Sequence, residues 1–272
     1  MRGDEVVADS SGVAELVGAA HGSVHLDVAR VELAAGFAGD AEANPFEESF
    51  YVLAGRVVLQ MAGALHDLGQ DDFGYVPVGV PHRWENRTGE PTTLLRVRSP
   101  QPRDFGIVER PVDLAPLERS VTPEPVDPSD PRLRLVGTYD EAHLPAPGPL
   151  QMKGFRSGSA KNVGLWMLVD ETVGAVHHTL FMVQFAPTGQ TVTLGGQHYH
   201  PFEEIYYIVE GEAIAHLEDE SIPVSVGDVV FAGVNALHGF SNQTDHRVRW
   251  IEAQSPAPPP SDAFFFPARW EA

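Results

Sequence analysis

The sequence contains no cysteine in its 272 residues. That excludes a disulfide framework, a thiolate metal site and a cysteine nucleophile, so any metal here sits on nitrogen and oxygen. Basic residues are also scarce, with 18 Lys and Arg against 38 Asp and Glu for a formal charge of −20. Such a field repels a nucleic-acid backbone or an anionic membrane, neither of which is an expected partner, and the acidic excess reads as a solvated surface. No stretch approaches the roughly eighteen continuous apolar residues of a membrane helix. The opening MRGDEVVADSSG lacks a basic segment leading into an apolar one, so the expected location is the cytoplasm.

What the chain does contain is 43% apolar residues, enough for a proper core, together with 26 Gly and 23 Pro. Its apolar stretches are short and broken by Gly, Pro or Asp, which favours turns and strands and predicts an all-β class. Pro-Phe-Glu-Glu occurs twice, at Pro45 to Glu48 and at Pro201 to Glu204, an offset of 156 residues. The same offset pairs Gly55 with Gly211, Asp72 with Asp228, His82 with His238, Asn86 with Asn242 and Ser99 with Ser255. A register held this long marks an internal duplication. Upstream of Pro-Phe-Glu-Glu the second copy is about three residues longer, where a metal-binding loop is expected.

The division that follows is an N-terminal barrel over 1–115, a Pro-rich connection over 116–149 and a C-terminal barrel over 150–272. The run Val121 to Pro128, with three prolines, reads as an extended connection that forms no regular element. The aromatics Phe264 to Phe266 of the tail are expected to pack on a barrel wall.

Gly196-Gln197-His198-Tyr199-His200-Pro201-Phe202-Glu203-Glu204 is the most informative segment. Side chains alternate along a strand, so His198, His200 and Glu204 share a face. His238, after the Gly227-Asp228 turn, approaches from a neighbouring strand and completes three nitrogens and one oxygen, a set suited to one divalent transition metal per chain (Fe, Mn, Ni, Cu, Co or Zn). Three histidines and a glutamate facing one cavity without a cation would carry a large desolvation cost. For His21, His25, His66, His143, His177, His178, His216 and His246 the plainer reading holds, that of hydrogen-bonded core residues. Glu203 and Glu204 look like a carboxylate pair, but alternation turns Glu203 to the surface.

This spacing resembles the cupin superfamily. Its first motif, His-x-His, three or four residues, Glu, six residues, Gly, is met by His198, His200, Glu204 and Gly211. Its second, Gly, five residues, Pro-x-Gly, two residues, His, three residues, Asn, is met by Gly227, His238 and Asn242, with Gly233 and Asn235 where Pro and Gly are usual. The resemblance implies two tandem jelly-roll (double-stranded β-helix) barrels, a bicupin. In the first copy Pro77 to Asn86 fits the second motif, and Glu48 and Gly55 fit the end of the first, but Glu42 and Asn44 replace the histidine pair. That barrel is therefore expected to have lost transition-metal affinity.

A three-His, one-Glu site with open positions can polarise an enolate, a carboxylate or an amide, and a redox metal there can engage dioxygen. The leading expectation is a metal-dependent dioxygenase acting on a small organic substrate. Tyr206 is the candidate catalytic residue and Ile208 and Phe240 are pocket residues, all by parity with the ligands; barrel packing is the competing reading. Hydrolysis, decarboxylation or isomerisation on the same ligands, as in the ureidoglycine aminohydrolases that the length resembles, is the alternative, as is a non-enzymatic ligand-binding protein. The superfamily is functionally mixed, so the fold does not decide among them. A homodimer is compatible with this reading.

Overall fold

The computed structural model describes residues 12–102, 112, 114–115, 121–127, 135–146, 161–190 and 197–258. Phe264 to Phe266 lie outside the described residues.

The first copy supplies β1 (Val13–Val17), β2 (Asp27–Leu33), β3 (Glu47–Ala54), β4 (Arg56–Met61), β5 (Ala64–Gly69), β6 (Asp72–Val76), β7 (His82–Glu85) and β8 (Thr92–Ser99). After β9 (Glu124–Pro125) and β10 (Val136–Thr138) come β11 (Lys161–Val169), β12 (Thr179–Gln190), β13 (Glu203–Glu210) and β14 (Glu212–Leu217). The chain continues through β15 (Glu220–Ser225), β16 (Val229–Ala232), β17 (His238–Ser241) and β18 (Val248–Ser255). Strands β3, β4, β5, β7 and β8 coincide residue for residue with β13, β14, β15, β17 and β18 at the offset of 156 seen in the Ser99 and Ser255 pair. The expected all-β class and tandem barrels are what the chain forms.

In the first copy β1-β2-β8-β3-β6-β10 make one antiparallel sheet, and β7-β4-β5-β9 make a second, mixed one. In the second copy the path runs β15-β14-β17-β12-β18-β13-β16, with β11 on β12. The proline run corrects one expectation. Glu124 and Pro125 form a short strand, β9, parallel to β5. Proline lacks an N–H, but its φ suits extended backbone, and an edge strand needs bonds on one side only.

Alternation sorts the side chains. Phe50, Val52, Leu94, Leu59 and Met61 fill the first barrel, while Tyr206, Ile208, Phe240, Trp250 and Phe185 fill the second. The opposite faces of the same strands are not wet: Tyr51, Leu95 and Val97 pack with Ile205, Tyr207, Ile251 and Ala253 in a third cluster that joins the barrels. Strands β3 and β13 are therefore buried on both faces. Ser99 Oγ and Ser255 Oγ, equivalent residues, meet at 2.7 Å, which places them beside an approximate twofold axis relating the copies.

This double burial overturns the surface reading of Glu203, which is 1% exposed. Alternation does turn it away from Glu204, but the other face is the barrel interface. Its carboxylate accepts bonds from Ser23 Oγ and the backbone N–H groups of Val24, His25 and Leu26, at 2.7, 2.7, 3.0 and 3.2 Å. Glu47 does the reciprocal work, accepting from Val176 N, His177 N and His178 Nδ1 at 2.8, 3.0 and 3.1 Å. Each barrel thus holds a loop of the other by a buried carboxylate.

Candidate metal centre

The loop before β13 carries His198 and His200, β13 carries Glu204 and β17 begins with His238. His198 and His238 are locked as an antiparallel pair by N–H to carbonyl bonds of 2.7 and 2.9 Å. The turn leading into β17 has Asn235 at φ +62°, matching Gly79 at φ +73° in the first copy. Asparagine tolerates this left-handed conformation, so the departure from the expected glycine leaves the turn intact. The four side chains are 4%, 0%, 1% and 0% exposed, and their candidate ligand atoms all lie within 4.8 Å of one another.

Hydrogen bonds orient the rings. His200 Nδ1 lies 2.8 Å from Phe202 O, and His238 Nδ1 lies 2.8 Å from Ala236 O. A carbonyl only accepts, so each Nδ1 carries a proton and each ring turns its Nε2 inward. These two Nε2 atoms are 3.2 Å apart, and both are near the same Glu204 oxygen, at 3.0 and 2.9 Å. Two imidazole nitrogens and a carboxylate oxygen converging in a buried space need positive charge between them, from protons on the rings or from a metal cation. The residues present therefore fit a divalent metal.

Tyr206 donates its hydroxyl to the same Glu204 oxygen. Gln254 Nε2 donates to the other at 2.6 Å and also reaches Glu252 Oε1 at 3.3 Å, while Trp250 Nε1 donates to Glu252 Oε2 at 2.9 Å. Burial alone would raise the Glu204 pKa, but the His200 and His238 interactions outweigh it and hold the carboxyl well below its usual range. Burial, reinforced by the Glu204 charge, pushes Glu252 well above its usual range. Burial and then the neighbouring carboxylates raise Tyr206, which stays a neutral donor. Burial and the facing His238 drive His198 well below its ordinary value.

Tyr206, Ile208 and Phe240 belong to the packed interior, with Tyr206 4.6 Å from Phe240 and Phe240 4.9 Å from Trp250 between ring centroids. Sequence reasoning misses Glu252 and Gln254. A signal for them exists: they alternate with apolar residues on β18, at the inward parity set by Trp250.

Of the remaining histidines, His178 is buried between Glu47 and Ser49, and His216 bonds Ser221 and Ser241, but His143, His177 and His246 are exposed rather than core. A separate groove of about 1140 Å³ between the barrels is lined by Tyr51, Phe73, Tyr139, Trp166, Tyr207 and Arg249, and by none of the four metal-group residues.

In the first barrel Glu42 pairs with His82 through N–H to carbonyl bonds of 2.9 and 2.8 Å, the same bridge that joins His198 to His238. The shorter upstream loop therefore leaves residues 42 and 44 at the backbone places of His198 and His200. Glu42 is exposed, while Glu48 and His82 are buried.

The family model described as a cupin domain matches residues 29–98 and again 181–253. The chain is 32% identical over 97 residues to polyketide synthase CurC of Streptomyces cyaneus, which covers 35% of this chain and 60% of that protein. It is equally 32% identical over 97 residues to the oxalate-binding protein of Thermotoga maritima, covering 35% of this chain and 75% of that protein. Among solved structures, YlbA from E. coli superposes with a TM-score of 0.62 at 17% identity, over 94% of this chain and 89% of that one. A variant of the oxalate decarboxylase of Bacillus subtilis superposes with a TM-score of 0.63 at 15% identity, over 99% and 79%. At those identities the likeness speaks for the fold. With both repeats matched and the His-x-His, Glu and His positions of the second in one buried cluster, the chain belongs to the cupin family, as a tandem of two cupin domains.

Proposed function

We propose that the C-terminal barrel holds one divalent transition metal on His198, His200, Glu204 and His238, and that the protein is a metal-dependent dioxygenase of a small organic substrate. The observation that carries this reading is the convergence of two carbonyl-oriented imidazoles and one carboxylate oxygen at 2.9 to 3.2 Å in a buried interior. When bound, such a metal polarises substrate oxygens and, if redox-active, engages dioxygen. The protein's own residues do the rest. Gln254 fixes the Glu204 carboxylate, and Phe240, Trp250 and Phe185 exclude water from the barrel interior. Tyr206 keeps its proton at the phenolic oxygen beside Glu204, where it can orient a substrate oxygen. The packed aromatics restrict the substrate to a small molecule.

A second reading, decarboxylation, hydrolysis or isomerisation without oxygen, draws on Glu252. A carboxyl kept neutral by burial and linked through Gln254 to Glu204 is a proton donor in reserve. The oxalate-binding relative also favours a carboxylate ligand. Oxygen uptake by the iron-, nickel- or copper-loaded protein with enolic, catecholic and dicarboxylate substrates separates the two. Uptake that matches turnover supports the dioxygenase, and equal turnover under strict anaerobiosis overturns it in favour of the second reading.

A further inference from the structure

The first barrel differs from the second by more than its missing histidines. Across the β3 and β8 register, Glu48 faces Arg98 and Phe50 faces Arg96. The same positions in the second barrel pair Glu204 with Gln254 and Tyr206 with Glu252. Arginine thus stands where the metal barrel has its buried acid. Arg96 shares the parity of Leu94, a core residue of the first barrel, so it points inward.

Arg98 is engaged: its Nε and Nη2 lie 2.9 and 2.7 Å from Asp27, and its guanidinium lies 5.3 Å from the Phe46 ring. Arg96 forms no ion pair among the described residues, and its buried Nε has no hydrogen-bond partner. Four other buried atoms of this barrel share that state, His21 Nδ1, Arg83 Nε, His82 Nε2 and Asn44 Nδ2, and the last two stand at the positions of His238 and His200. His82 Nδ1 donates to Val80 O at 3.1 Å, which leaves Nε2 as the ring atom open to a ligand, an acceptor in the singly protonated ring. The charges facing Arg96 are Glu48, Arg98, Asp27 and Glu42. Glu48 acts on Arg96 electrostatically but forms no ion pair with it among the described residues, and Glu42 is exposed, where solvent screens it.

The Arg96 Nε–H, an amide N–H and an imidazole nitrogen, each buried and without a hydrogen-bond partner, stand at the positions of Glu252, His200 and His238 in the other barrel and make a complementary set. We propose that the first barrel binds a small hydroxy-carboxylate, with the carboxylate on Arg96, a ligand oxygen accepting from Asn44 Nδ2 and the ligand hydroxyl donating to His82 Nε2. Arginine suits the first role because its planar fork matches a carboxylate. This site is independent of the metal reading, since it uses none of the four metal-group residues.

Isothermal titration of the full chain, stripped of metal and carrying His200→Ala, with glycolate and acetate tests it. Glycolate is expected to bind, and Arg96→Gln to weaken it at least tenfold. His82→Phe is expected to erase the preference for glycolate over acetate while acetate binding persists, which keeps the test decisive if Arg96→Gln fails to fold by circular dichroism. Absence of glycolate binding to the stripped His200→Ala chain overturns the proposal. So does binding that Arg96→Gln leaves unchanged, or a glycolate preference that survives His82→Phe. Failure of metal binding at the second barrel would leave these outcomes unaffected.

Discussion

Glu203 and Glu204 are neighbours with opposite duties, and Glu203→Ala separates them. Glu203 accepts four bonds from the loop Ser23 to Leu26. Ser23 Oγ and Leu26 have a fallback: the hydroxyl can donate to Leu26 O at 2.7 Å, and Leu26 N already reaches Ser23 Oγ at 3.0 Å. The loss therefore falls on Val24 N and His25 N, whose bonds to a carboxylate are worth about 1.5 kcal/mol or more each, for a total near 3 kcal/mol. Val24 is 51% exposed, so water moderates the loss and keeps it below the range of about 3–5 kcal/mol seen when a fully buried charge pair is broken. Glu203→Gln retains one carbonyl acceptor and should lose about half as much. Urea denaturation followed by tryptophan fluorescence measures both, and metal analysis of the folded variants should show wild-type occupancy. A loss under about 1 kcal/mol for Glu203→Ala refutes the interface assignment. Loss of metal would show that this carboxylate serves the site instead.

The Glu47 carboxyl tests the same interface by pH. Burial would raise it, but the bonds from His178, Val176 and His177 lower it from 4.5 to about 2. A depressed acid stabilises the fold above its unfolded value, so this contribution is intact above about pH 4.5 and disappears as pH falls toward about 2. After discounting for solvent screening it is worth about 2 kcal/mol, and Glu47→Gln should flatten that acid limb in urea titrations at stepped pH. In the first barrel, Glu42→His with Asn44→His should raise metal stoichiometry toward two, because the bridge to His82 already matches that of His198. Adding Arg96→Gln should tighten the new site by removing a facing cation, as competition with a chelator would read. Tyr206→Phe should retain metal and fold while lowering kcat by about tenfold, the effect of losing one hydrogen bond worth about 1.4 kcal/mol in the transition state; an unchanged kcat assigns Tyr206 to packing alone.

Much of this was legible because a duplicated β protein writes its pattern twice. The Pro-Phe-Glu-Glu repeat sets the register of β3 against β13, and alternation groups His198, His200 and Glu204 correctly although the two histidines lie on the loop before β13, held by the bridge to His238. The same rule misleads at Glu203, since alternation says which residues share a face and not whether the opposite face meets water or another sheet. Burial of β13 on both sides depends on the packing of Ile205, Tyr207 and Ile251 against Tyr51 and Val97, contacts between residues far apart in the chain. Glu252 escapes notice because an acid in a strand is ordinarily solvated; only the inward parity of Trp250 betrays it. The short strand at Glu124 and Pro125 is hidden for a related reason: a proline run excludes a central strand but not an edge.

Metal content measured by mass spectrometry on the full chain and on His200→Ala and His238→Ala tests the central claim most directly. One divalent transition metal per wild-type chain is expected, with little or none in either variant while circular dichroism reports an intact barrel. Occupancy retained in both variants, or a folded wild type that takes up no divalent transition metal when supplied with one, would contradict it.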